Sequence, residues 1–220
     1  MNKGIYRIAA GIGAAVILVS SCTVQASMVT TNGTPAAVAT DSIANWPAAP
    51  AVTSETAVLM DADTGAVLYD KGMDDYRYPA SITKIMTAML ALKYGNMDDT
   101  VAISQENVTL ESGSQVAGFQ AGDQVTMDQL LHCLLVYSAN DAASAIAEHV
   151  GGTTDKFVEM MNSFAAELGC TGTHFTNPHG LQDENHYTTP YDIYLMLKEA
   201  LNYPEFTDIT QMSSYTVTYK

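Results

Sequence analysis

The strongest constraint on this chain lies in Ser81-Ile82-Thr83-Lys84 and the residues that follow. Ile82, Ile85, Met86, Met89, Leu90 and Leu92 cover most of the circumference of a helix drawn through this segment. A helix apolar nearly all round is a buried one, so the rest of the fold has to wrap it. Residues three apart share a helix face, so Ser81 Oγ and the Lys84 amine can meet there. Burial disfavours the ammonium and lowers the lysine pKa. A neutral lysine beside a serine hydroxyl is a general base for a nucleophile. Ser81 also falls near the helix N-terminus, where the backbone dipole favours developing negative charge. A plainer reading competes. Serine is a good N-cap, Pro79 lies just upstream, and a Ser-x-x-Lys match arises about once by chance in a chain of this size.

The 220 residues allow one sizeable domain with extensions, and 47% hydrophobic content supplies a core. A net charge of −15 speaks against nucleic acid, because no basic patch exists to neutralise phosphates. The acidity reads as a solvated surface. Cys22, Cys133 and Cys170 make no disulfide framework, and no Cys-x-x-Cys pair suggests zinc. Cys133 falls in an apolar helical run and reads as a small core residue. No cofactor is indicated.

Residues 1–22 read as a targeting segment. Lys3 and Arg7 precede an apolar run, residues 8–19, that is too short to span a bilayer comfortably. Val19-Ser20-Ser21-Cys22 resembles a bacterial lipobox, in which Cys22 would be acylated and would anchor the chain to a membrane. Val24-Gln25-Ala26 offers the alternative, ordinary cleavage after Ala26. Either implies export to the bacterial cell envelope. Residues 23–53, rich in Thr, Ala, Ser and Pro, read as a flexible tether with Trp46 as its one large aromatic.

Order is expected from residue 54. Ala57-Val58-Leu59-Met60 and Ala66-Val67-Leu68-Tyr69 flank Asp61-Ala62-Asp63-Thr64-Gly65, a hairpin signal. Residues 92–125 read as mixed and turn-rich. Thr126-Met127-Asp128-Gln129 fits a capping box opening a helix that ends at Tyr137. Further helices are expected over 141–150, 155–168 and 190–201, and a strand over 213–219. Strands, then a helical cluster, then a strand indicate an α+β layout whose sheet is incomplete where the sequence stops.

Ser138-Ala139-Asn140 interrupts the helical region and is expected on an exposed loop. Ser138 could relay a proton between Lys84 and a leaving group, and Asn140 could bond a substrate amide and the lysine amine. The plainer alternative is a polar loop that ends a helix. His132 and His149 sit on expected helices without a partner pattern. His174, His179 and His186 read as surface histidines on a loop, since no carboxylate–histidine spacing suggests a metal.

These segments together resemble the D-alanyl-D-alanine carboxypeptidases, the low-molecular-mass penicillin-binding proteins of peptidase family S11. The likeness rests on residues 59–68, on Tyr78-Pro79-Ala80-Ser81-Ile82-Thr83-Lys84-Ile85-Met86-Thr87, and on Gly122-Asp123-Gln124-Val125-Thr126 leading to Ser138-Ala139-Asn140-Asp141-Ala142. Asn177-Pro178-His179-Gly180-Leu181 adds a loop taken as structural support. The resemblance implies a β-lactamase/transpeptidase-like α+β fold, an antiparallel sheet packed against a helical cluster, with residues 54–220 as the N-terminal part of the domain. It implies Ser81 as nucleophile, Lys84 as base, and Ser138 and Asn140 in catalysis and substrate binding. The Ser81 N–H would form half of an oxyanion hole. The partners implied are peptidoglycan stem peptides and β-lactam antibiotics.

One departure is large. The family's third motif, Lys-Thr-Gly, does not follow Ser138. The expectation is a truncated sequence whose 220 residues alone are inactive and poorly folded, with exposed sheet edges. Two rivals follow. A class A β-lactamase shares Ser-x-x-Lys but carries Ser-Asp-Asn where this chain has Ser138-Ala139-Asn140. It also needs a deacylating glutamate, and Glu159 and Glu167 fall on an amphipathic helix. The other rival is a non-catalytic wall-binding lipoprotein of the same fold.

Overall fold

The computed structural model describes residues 51–219 and three short strands, β1 (Val16–Leu18), β2 (Thr30–Thr31) and β3 (Thr34–Pro35). The rest of residues 1–50, with Cys22 and Trp46, lies outside the described residues. The chain divides into two compact units. One runs to Arg77 and adds Thr189–Tyr194; the other is Tyr78–Thr188 with the chain from Leu195.

The first unit holds the expected hairpin. β4 (Ala57–Met60) and β5 (Val67–Lys71) pair antiparallel, with Leu59 opposite Tyr69 and a register shift at Met60. The turn forms because Asp61 Oδ1 accepts from the Thr64 N–H and the Thr64 hydroxyl, both at 2.7 Å. Val58, Met60 and Val67 are buried. β1 lies parallel along the other side of β4, giving the order β1-β4-β5. Lys71 Nζ donates to the Val52 and Ser54 carbonyls at 3.0 and 2.6 Å and pins the approach to β4.

The second unit is built around one helix. A 3-10 turn, Ala80–Thr83, runs straight into α1 (Lys84–Tyr94). Met86, Ala88, Met89 and Leu90 are fully buried, as a helix apolar on all sides demands. After α1 come β6 (Thr100–Ala102), α2 (Gln105–Val108) and β7 (Gln124–Thr126), with β6 and β7 antiparallel. α3 (Met127–Tyr137), α4 (Asn140–Gly151) and α5 (Thr154–Glu167) follow and all pack on α1. The capping box is present: Thr126 Oγ1 accepts from the Gln129 N–H, and Gln129 Oε1 from the Thr126 N–H. α4 stops at left-handed Gly152, and Thr153 caps α5. α6 (Pro190–Ala200), whose residues up to Tyr194 count with the first unit, opens where Thr189 Oγ1 accepts from the Asp192 N–H at 3.1 Å.

Residues 92–125, expected to be mixed and turn-rich, hold β6, α2 capped by Ser104, and most of β7. One expectation needs correction. Residues 213–219 form no strand. They run without a ladder partner beside α3, where Tyr215 stacks on His132 at 4.2 Å and the Thr218 carbonyl accepts from Gln129 Nε2 at 2.7 Å. Among the described residues, no strand pairs with this segment. A short helix, α7 (Pro204–Thr210), precedes this stretch and was not anticipated, although Pro204 at its first position is an N-terminal signal. Cys133 and Cys170 are both buried. Among the described residues, no helix is long and apolar enough to cross a membrane.

Candidate active site

Ser81 lies within the 3-10 turn, after Pro79 and after Ala80, whose φ is +49°. Left-handed backbone at a non-glycine residue costs roughly 1 kcal/mol. The strain sits immediately before the serine. Ser81 caps nothing: Pro79 and Thr83 hold the cap positions of the turn and of α1, and neither makes a side-chain cap bond. The capping reading therefore falls, and Ser81 is left exposed on the first turn of a helix.

Lys84 is only 3% exposed. Its Nζ stands 3.3 Å from Ser81 Oγ and donates to the His179 carbonyl at 2.8 Å. Desolvation lowers its pKa from 10.5 to about 8. Roughly a tenth of the side chains are then neutral at pH 7. The spacing argument from the sequence thus holds in space, and the amine has one neighbour beyond the serine that spacing did not reveal.

That neighbour belongs to the loop of residues 177–181. Asn177 Oδ1 accepts from the Gly180 N–H at 2.7 Å, and Asn177 Nδ2 donates to the Leu181 carbonyl at 3.0 Å, which shapes the loop from within. Thr87 Oγ1 donates to the Pro178 carbonyl at 2.6 Å. The loop is therefore tied to α1 at two successive carbonyls. The supporting role expected of it becomes specific, since it supplies the second acceptor for Lys84.

The histidines of this region need correction. His174 is exposed, but His186 is 2% exposed and His179 is half-buried. Burial and the neighbouring Lys84 and His186 push the His179 pKa down to about 4. His149, expected to lack a partner, pairs with Asp99 at 3.0 Å. Among the described residues, no group of three His, Cys, Asp or Glu side chains could hold a metal ion.

Ser138 and Asn140 fall at the junction of α3 and α4. Ser138 ends α3 in the left-handed conformation, φ +60°, and Asn140 opens α4 at 6% exposure. Both helices pack on α1. Among the described residues, neither side chain bonds to Ser81 or Lys84. Sequence reasoning missed what holds this junction. Asp141, 1% exposed, accepts from the Ala117, Gly118 and Phe119 N–H groups at 2.9, 2.9 and 3.3 Å. The Asn140 N–H donates to the Gln115 carbonyl at 2.8 Å, and Gln115 Nε2 donates to the Tyr137 carbonyl. Residues 115–119 are thereby fastened beside Ser138. An acidic residue in the first turn of α4 was the only cue. A separate cleft of about 440 Å³, lined by Tyr94, Lys156, Met160 and Phe164 among others, contains none of these groups.

A serine hydroxyl beside a desolvated lysine at the start of a buried helix is an arrangement that can support acyl transfer in the serine–lysine manner. Residues 43–220 match the Peptidase S11 family, described as D-alanyl-D-alanine carboxypeptidase. The chain is 41% identical over 162 residues to the D-alanyl-D-alanine carboxypeptidase DacF of Bacillus subtilis (strain 168), covering 71% of this chain and 41% of that protein. The crystal structure of the D-alanyl-D-alanine carboxypeptidase DacD from Francisella tularensis superposes with TM-score 0.71 at 36% identity, covering 76% of this chain and 42% of that one. Penicillin binding protein 6B from Escherichia coli gives 0.74 at 30% identity, covering 81% and 60%. The chain belongs to the S11 peptidase family and has its β-lactamase/transpeptidase-like α+β fold. It spans about two fifths of the length of curated relatives such as DacF.

Proposed function

We propose that this chain carries the nucleophilic half of a serine-type D-Ala-D-Ala carboxypeptidase. The reading rests on one observation above others: the Lys84 amine is buried, with its pKa lowered, 3.3 Å from Ser81 Oγ. Ser81 Oγ attacks the carbonyl carbon between the terminal D-alanines of a peptidoglycan stem peptide, and neutral Lys84 takes the hydroxyl proton. The C–N bond breaks, D-alanine leaves as the amine after gaining a proton through Ser138, and water then hydrolyses the Ser81 ester. Asn140 orients the substrate amide. The Ser81 N–H lies in the first turn, where backbone donors lack intrahelical acceptors, and suits one side of an oxyanion hole. β-Lactams acylate Ser81 as substrate mimics. Export through the segment of residues 1–22, with Cys22 as a lipid anchor, would place the enzyme at the cell envelope.

Labelling with a fluorescent penicillin tests the reading in the full protein. Wild type should be labelled covalently and Ser81→Ala should not, with its fold intact. Persistent covalent labelling of Ser81→Ala would refute the assignment.

A further inference from the structure

We propose that His186 is a positioning residue for Lys84, a buried imidazole that ties the turn bearing Ser81 to the loop bearing the His179 carbonyl. The proposal rests on Lys84 being the base, as argued above.

His186 Nδ1 accepts from the Thr176 N–H at 3.0 Å, with the Thr176 hydroxyl also 3.2 Å away, and so closes the base of the loop of residues 177–185. Its Nε2 stands 2.7 Å from Thr83 Oγ1, one residue before Lys84. Because Nδ1 accepts from a backbone N–H, the single proton of the neutral ring sits on Nε2, which donates to Thr83. Only the neutral ring makes both bonds; an imidazolium would set its own Nδ1–H against the Thr176 N–H. The groups around the ring agree. Burial and His174 lower its pKa, Asp183 raises it, and the net result is about 4. The Phe175 ring meets it edge-on at 5.5 Å, and His179 and Lys84 stand on the loop and turn that it joins. The Lys84 amine touches two partners, Ser81 Oγ and the His179 carbonyl. If the strap opens, the carbonyl shifts and the amine is free to leave the serine. Nothing in the reaction requires the His186 ring itself, so its burial is otherwise unexplained.

The test measures the rate constant for penicillin acylation of Ser81 from pH 5 to 9 in the full protein, with thermal melting alongside. Thr83→Val keeps the shape of Thr83 and removes the acceptor. It should slow acylation about 10- to 100-fold, the cost of misplacing a reacting group. Its acid limb should move to lower pH, because the ammonium loses a carbonyl that favours it. Thr83→Ser keeps the hydroxyl and should remain within about threefold of wild type. Nitrogen-15 NMR of the wild-type imidazole should show a neutral ring protonated at Nε2 down to about pH 5, a readout that needs no variant to fold. Wild-type acylation and pH profile in Thr83→Val, or a ring protonated at Nδ1, overturns the proposal. Wild type that is not acylated at Ser81 overturns the functional reading instead.

Discussion

Gly180 stands so close to Ala80 that a Cβ built on it would lie 1.8 Å from the Ala80 carbonyl oxygen. Its φ of +87° already excludes most side chains. The loop and the turn bearing Ser81 therefore meet backbone to backbone. Gly180→Ala should destabilise the protein by about 2–4 kcal/mol, from strain and overlap together. Urea denaturation measures this, and a loss under 1 kcal/mol would mean that the contact yields easily.

Ser81 caps no helix end and is exposed. Ser81→Ala should leave stability within about 0.5 kcal/mol of wild type while covalent penicillin labelling vanishes. A drop of several degrees in melting temperature would show that the hydroxyl has a structural partner after all.

Lys84 has a folded pKa of about 8, below its ordinary 10.5. Acylation should therefore rise with pH and level off above about 8. The stability sign is opposite to that of an ion pair. Between these two values the unfolded chain binds the extra proton, so stability rises with pH there, and below the window the full cost of burying the amine stands. Lys84→Met should abolish acylation and yet raise stability at pH 7 by about 1–2 kcal/mol, read by denaturant titration. A less stable Lys84→Met would show that the bond to the His179 carbonyl outweighs desolvation.

His179 and His186 both hold pKa values near 4 against an ordinary 6.5. Their neutral forms favour folding, so this contribution is complete above pH 6.5 and is lost as pH falls toward 4. Stability measured at pH 7 and 4.5 should fall on acidification, and His186→Gln should make that fall shallower. Equal slopes for the two proteins would remove His186 from the account.

Asp141→Asn keeps the size of the side chain but turns an amide donor toward N–H groups that need an acceptor. The loss should be about 2–3 kcal/mol, as for a buried charge-assisted bond. Hydrogen exchange at Gly118 and Phe119 should accelerate before exchange in α1 does. Uniform acceleration throughout the second unit would point to global unfolding instead.

The parts legible in the sequence were those with a local cause. The helix after Lys84 announces itself because its apolar residues leave no polar face, and Thr126 with Gln129 writes its own start. The Ser81–Lys84 pairing follows from helix spacing alone. The parts that stayed hidden depend on distant partners. Nothing around His186 says that Thr83, 103 residues earlier, will bury it. Residues 213–219 alternate like a strand but meet aromatic rings of α3 and residue 119 rather than a ladder. The three-residue strands β6 and β7 are too short for alternation to register. Ser138 in left-handed conformation is likewise invisible, because serine carries no bias toward it.

Ser81 and Lys84 share a single turn, with the serine facing solvent and the lysine facing the interior. A substrate would thus meet the hydroxyl from the solvent side while the amine stays on the dry side, held there by the His179 carbonyl.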